Sequence, residues 1–122
     1  MKTSNDPRHQ KRIDWMEKLF SHSFKTNEDP DMAPLIEKLP DIDAMILKAA
    51  SEWPLEQIAK TDLAILRLAI YELLEEKDMP TKVVIDEAVE IAKEYGNTNS
   101  AKFINGALGA VVKLINNETI QQ

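Results

Sequence analysis

Between Thr61 and Lys77, apolar residues fall on most sides of a helix: Leu63, Ile65, Leu66, Ala69, Ile70, Leu73 and Leu74. A helix apolar over so much of its circumference has little surface to give to water. It belongs at the centre of a fold, with other helices around it. No segment alternates with period two beyond a few residues. Val83-Val84-Ile85 is the only β-like run and is too short to outweigh its flanks. The expected fold is all-α, with six or seven helices.

Prolines and polar caps mark where the helices start. Asp6-Pro7 opens a first helix to about Phe24, and Asp29-Pro30 a short one to about Leu39. Pro40 opens another to about Ser51, and Pro54 starts a brief turn. Thr61 caps the central helix. Pro80-Thr81 opens the next, which ends at Gly96, a suitable C-terminal glycine. Thr98 or Asn99 caps the last helix, to about Asn116. With 122 residues the chain is one domain, 1–122, with a helical core of about 7–116. The polar tail 117–122 is expected to fray.

Charge is unevenly spread. Residues 1–25 hold six Lys/Arg against three Asp/Glu, and residues 26–80 hold five against thirteen. The N-terminal end can meet phosphate, and the acidic middle can meet a basic protein. The absence of cysteine excludes disulfides and thiolate metal sites. His9 and His22 alone do not make a zinc site. The sequence holds no Gly-rich phosphate loop and no Ser/His/Asp set. Glu87, Glu90 and Glu94 share a helix without a histidine beside them, and such an acidic face is expected to be solvated. A non-enzymatic protein without cofactor or metal is expected. No apolar run has the length of a membrane span, and the N-terminus lacks the h-region of a secretory signal. A cytoplasmic location follows as the expectation.

On a helical wheel, Ile13, Met16, Phe20 and Phe24 form the core face of the first helix. Arg8, Lys11, Lys18 and Lys25 fall opposite, with Trp15 and His22 between them and Arg12 at the edge. Cations interleaved with a flat ring suit single-stranded nucleic acid, because the cations hold phosphates and the ring stacks on a base. The same pattern fits a solvated face with Trp15 packed on a neighbour. Arg67 interrupts the central helix and is expected to pair with a carboxylate such as Glu72 or Glu87. The last helix has an apolar face of Ile104, Ala107, Leu108, Val111 and Ile115. Its other face carries Lys102, Asn105, Gly106, Gly109 and Lys113. Two glycines inside a helix suggest that a backbone or ligand approaches closely. The helix start at Asn99-Ser100 offers N–H groups to a phosphate.

Three strings, in register, resemble one family. Thr61 to Leu73 (TDLAILRLAIYEL) is similar to the central helix of the NusB family of transcription antitermination factors. Pro80 to Lys93 (PTKVVIDEAVEIAK) looks like that family's next helix, and Lys102 to Leu108 (KFINGAL) like its last-helix signature. Leu19-Phe20-Ser21 stands where the family has a Leu-Tyr-Ser-like triplet. The resemblance covers about residues 53–116. Trp15 stands where the family prefers a small residue, and Asp86 replaces its usual asparagine. The region between Phe24 and Pro54 is short, so the core is expected to come largely from the three C-terminal helices.

The resemblance implies two small packed helical sub-bundles, the N-terminal one shortened. It implies binding to the boxA-type single-stranded RNA of ribosomal-RNA leaders, together with a small-subunit ribosomal protein (NusE). The pair would join the RNA polymerase antitermination complex and suppress termination. The family's basic head falls on Arg8, His9, Gln10, Lys11 and Arg12, where His9 and Gln10 replace two cations. With the wheel, this gives an RNA surface of Arg8, Lys11, Arg12, Trp15, Lys18, Asn99, Ser100, Lys102 and Phe103. Contacts to the ribosomal protein fall on Glu56 and Asp62. A non-catalytic interaction module that keeps the ribosomal-protein surface but binds RNA weakly is the alternative. A relative of the NusB-like domain fused to ribosomal-RNA methyltransferases would need a separate catalytic partner.

Overall fold

The structure is a computed structural model that describes residues 6–24, 29–52, 54–76 and 78–121, with side chains to residue 117. Five α-helices follow in order: α1 (Pro7–His22), α2 (Ala33–Ala49), α3 (Lys60–Glu75), α4 (Thr81–Tyr95) and α5 (Ser100–Gln121). Single 3-10 turns at Pro30–Met32 and Leu55–Gln57 precede α2 and α3. The described residues contain no strand.

The helices begin where local chemistry directs. The Asp6 carboxylate accepts the N–H of Arg8 at 2.9 Å, and Pro7 occupies the first turn of α1. Asp29 caps the turn at Pro30 in the same way, accepting from the N–H of Asp31 at 2.9 Å. Two boundaries depart from the sequence expectation, which is why five helices replace six or seven. The turn at Pro30 is only one 3-10 turn. Pro40 lies inside α2 rather than at the start of a new helix. A proline there removes one backbone donor and normally costs about 3 kcal/mol. It lies on the exposed side, where water can serve the freed carbonyl. Leu35, Leu39, Ile42 and Ile46 keep one buried stripe across it. Thr61 lies in the first turn of α3, whose N-cap is Ala59. The expected end at Lys77 is outside the described residues. The last helix also runs past Asn116, to Gln121.

α3 occupies the centre: α1, α2, α4 and α5 all pack on it. α4 and α5 form an antiparallel pair, and α2 also packs on α5. The two expected sub-bundles therefore share a single core through α3. The N-terminal part contributes more to it than expected. Ile13, Met16, Leu19, Met32, Leu35, Leu39, Ile42 and Ile46 are all buried, beside Leu66, Ile70, Ile91, Ile104 and Leu108. The first helix is rotated from the wheel's placement. Leu19 is buried, whereas Phe20 is exposed and Phe24 is 67% exposed, the two rings meeting edge-on at 5.2 Å.

Arg67 does pair structurally, but with Asp43 of α2 rather than with Glu72 or Glu87. Its Nε and Nη2 donate to the two carboxylate oxygens at 2.9 Å each. This bidentate link ties α2 to α3.

Candidate nucleic-acid interface

The head of α1 divides into an inward and an outward set of cations. The inward set is His9 and Arg12. Arg12 is 8% exposed. Its Nε donates to both Glu72 oxygens, at 3.0 and 3.1 Å, and its Nη2 donates to Oε1 at 2.8 Å. Its Nη1 also lies 3.8 Å from Glu87. Burial pushes the Glu72 carboxyl above its ordinary value, and Arg12 opposes that shift. His9 is 4% exposed. Its Nδ1 is 2.8 Å from Glu87 Oε2 and its Nε2 3.0 Å from Glu94 Oε1. Carboxylates only accept, so a ring held between two of them carries both protons. These bonds, Glu87 first, raise the His9 pKa against the opposing effect of burial. Glu87 is thus buried and paired, not part of a solvated acidic face.

Arg8 and Lys11 form the outward set, with Trp15 beside them. Lys11 Nζ sits 5.4 Å from the centre of the Trp15 ring. That ring faces Tyr71 of α3 at 6.3 Å, inclined by 33°. Together they line a cleft of about 110 Å³ with Arg12, Glu72, Glu76 and Met79. Lys18 lies farther along α1 and is engaged with carboxylates: Asp29 at 2.7 Å and Asp14 at 3.2 Å. Lys25 falls outside the described residues.

A second set gathers at the start of α5. Asn97 accepts the N–H of Asn99 through its side chain at 2.8 Å and that of Ser100 through its carbonyl at 3.1 Å. The Asn99 and Ser100 amides expected to face a phosphate are therefore already used. Ser100 is buried. Its hydroxyl accepts the Asn97 N–H at 2.9 Å and sits beside Asp62. Gly96, in extended backbone rather than a left-handed cap, fits this tight turn. A Cβ there would collide with the Ser100 side chain and lie 2.7 Å from the Ala92 carbonyl oxygen. Asn99, Lys102, Phe103 and Gly106 line a wider cleft of about 590 Å³ against Ala49–Glu52 at the end of α2. Among the described residues no neighbour uses the room left by the α5 glycines: a Cβ at Gly106 or Gly109 would meet none of them within 4 Å.

Glu56 is exposed, as a partner contact requires. Asp62 is 6% exposed, and its Oδ1 has no hydrogen-bond partner among the described residues. Burial raises its pKa, with Ser100 opposing. The expectation of two surface carboxylates is corrected to one on the surface and one at the edge of a neighbouring cleft of about 250 Å³. That cleft is lined by Gln57, Asn97, Asn99 and Phe103.

Residues 32–113 match the model of the NusB family. The chain belongs to the NusB family. It is similar to the transcription antitermination protein NusB of Pseudothermotoga lettingae, 52% identical over 79 residues, 65% of this chain and 56% of that protein. Its likeness to NusB of Dehalococcoides mccartyi is 41% identity over 107 residues, 84% of this chain and 75% of that protein. A solved structure of T. maritima NusB superposes with a TM-score of 0.79 at 39% identity, covering 93% of each chain. The matched segment spans about half the length of several of these curated relatives. Family membership bears out the resemblance of the three strings, the all-helical fold and the expectation of a non-enzymatic protein. Among the described residues, no cluster of three or more His, Cys, Asp or Glu is arranged to hold a metal ion. No helix there is long and apolar enough to cross a membrane.

Arg8, Lys11 and Trp15 thus come together at one end of α3, and Asn99, Lys102 and Phe103 near the other. Asp62 and Tyr71 mark the two ends, nine positions and so about 14 Å apart along the axis. Wheel reasoning missed Tyr71 because it lies on a different helix. It missed the His9–Glu87–Glu94 arrangement because the partners lie 78 and 85 positions away.

Proposed function

We propose that this chain is a non-catalytic, RNA-binding transcription antitermination factor of the cytoplasm. It binds boxA-type single-stranded RNA of ribosomal-RNA leaders with the small-subunit ribosomal protein NusE, and the pair joins the RNA polymerase antitermination complex. Arg8, Lys11, Trp15 and Lys18 on α1, and Asn99, Lys102 and Phe103 on α5, contact the RNA. Glu56, and Asp62 at the edge of the neighbouring cleft, meet the basic ribosomal protein. The observation that carries this reading is the pair of exposed cations, Arg8 and Lys11, beside the half-buried Trp15 at the head of α1, in a chain that belongs to this family. Phosphates need cations in water, and unpaired bases need flat rings. Arg12 and Ser100 support the interface by position: one pins α1 to α3, and the other shapes the start of α5.

The test is fluorescence anisotropy of a labelled boxA-type RNA at two salt concentrations, with and without the ribosomal protein. Salt-sensitive binding that the partner tightens is expected, and Lys11→Glu and Lys102→Glu each weaken it. Indifference to both changes would remove these surfaces from the RNA site. One observation favours the alternative interaction module: His9 and Arg12 turn inward, which leaves the head with fewer cations for phosphate. Partner binding that gains nothing from RNA would decide for that alternative.

A further inference from the structure

The cleft between α1 and α3 is built from more than a basic helix face. Trp15 and Tyr71 come from different helices, and both are half-buried, each with part of its surface left to solvent. Well-packed interiors leave few voids larger than a water molecule. This space of about 110 Å³ is open on one side and walled by the two rings and Met79. A cavity of about 150 Å³ holds benzene, so a cleft of this size admits the edge of one planar ring. Its floor is electrically quiet, because Arg12 and Glu72 neutralise each other there. Its rim is not. Lys11 lies over Trp15, the Arg8 side chain is 71% exposed, and the exposed Glu76 supplies acceptor oxygens.

We infer that the Trp15–Tyr71 cleft is a stacking subsite for one unpaired nucleobase, and that it favours a base carrying an exocyclic amine. The inference rests on the RNA-binding reading above and deepens it. The base slides against the Trp15 face, with Tyr71 and Met79 behind it. Its amine donates to the Glu76 carboxylate, the pairing by which acidic side chains recognise the amine of cytosine. The flanking phosphates lie against Arg8 and Lys11. A carboxylate beside a phosphate-binding strip would weaken purely electrostatic binding, so Glu76 fits here as a reader of the base edge.

The test uses the full chain and a short boxA-type RNA, with variants whose helical melting profile matches that of the unsubstituted protein. Trp15→Leu keeps apolar bulk, and Trp15→Phe keeps a ring. Stacking predicts that Trp15→Leu and Tyr71→Leu weaken binding about ten- to a hundredfold with the salt slope unchanged. Trp15→Phe restores most of the affinity. Lys11→Gln lowers the slope by about one instead. Glu76→Gln narrows the preference for cytosine or adenine over uracil in the RNA. A fluorescent adenine analogue placed along the RNA is quenched at one position, and the quenching disappears in Trp15→Leu. If the unsubstituted chain shows no salt-sensitive RNA binding, the RNA reading fails and the subsite with it. If it binds while the aromatic variants bind equally well, the subsite alone is overturned. A shallower salt slope in Trp15→Leu also overturns it, since Trp15 would then only position cations. So does intact RNA affinity with weakened binding to the ribosomal protein, which would put a protein side chain in the cleft.

Discussion

Replacing Arg12 by methionine tests the inward half of the α1 head. Three hydrogen bonds, at 2.8 to 3.1 Å, join its guanidinium to Glu72, and Glu87 stands 3.8 Å away. Both carboxylates are buried. The change leaves Glu72, only 7% exposed at the floor of the cleft, without its counter-charge. Breaking a buried pair from one side costs about 3–5 kcal/mol, a large part of the 5–15 kcal/mol that holds a typical domain together. At about 4 °C per kcal/mol for a chain of this size, the midpoint of thermal unfolding drops by about 12–20 °C. The loss depends on pH in a definite direction. Burial, now unopposed, holds the Glu72 carboxyl protonated above its ordinary value of 4.5. Above that value the unfolded chain releases a proton that the folded one retains, so the variant loses stability as pH rises and is least impaired in acid. The double variant Arg12→Met/Glu72→Met removes both charges and is more stable than Arg12→Met alone. Urea unfolding of the four proteins at several pH values measures all of this. A cost below about 1 kcal/mol for Arg12→Met, additive with Glu72→Met, would refute the buried-pair account and return Arg12 to the surface.

Three further outcomes follow from packing and protonation. The His9 pKa is raised above 6.5, so the folded chain holds a proton that the unfolded chain gives up. The stabilisation is complete below 6.5 and lost as pH rises through the folded value. His9→Gln flattens that part of the pH–stability curve, and an imidazole NMR titration locates the midpoint. Leu66→Ala and Leu108→Ala, both at fully buried positions, each lower stability by about 2–5 kcal/mol in urea unfolding. Gly106→Ala raises stability by about 1 kcal/mol, since its Cβ meets nothing within 4 Å. Gly96→Ala lowers it by about 1–3 kcal/mol, because its Cβ is driven against Ser100 and the Ala92 carbonyl. Equal effects at the two glycines would show that the turn before α5 is looser than described.

The sequence by itself determined where most helical turns start and which helix is central. Asp6-Pro7, Asp29-Pro30 and Pro80-Thr81 start helical turns through hydrogen bonds and backbone angles that reach only a few residues. The apolar circumference of 63–74 requires burial whatever surrounds it, which is why α3 was legible as the core strut. The three family strings were legible for the same reason, since they sit on the helices that build that core. The set of Arg8, Lys11 and Trp15 could also be read from a wheel. Which cations turn inward could not. A wheel fixes angles between residues on one helix, but its rotation in the fold is set by partners on others. Tertiary packing put Arg12 and His9 against Glu72, Glu87 and Glu94, and turned Phe20 and Phe24 outward. It paired Arg67 with Asp43, buried Asp62 under Ser100, and carried α2 through Pro40. In each case the deciding energy is the desolvation of a charge or the burial of an apolar stripe, and both depend on residues far away in the chain.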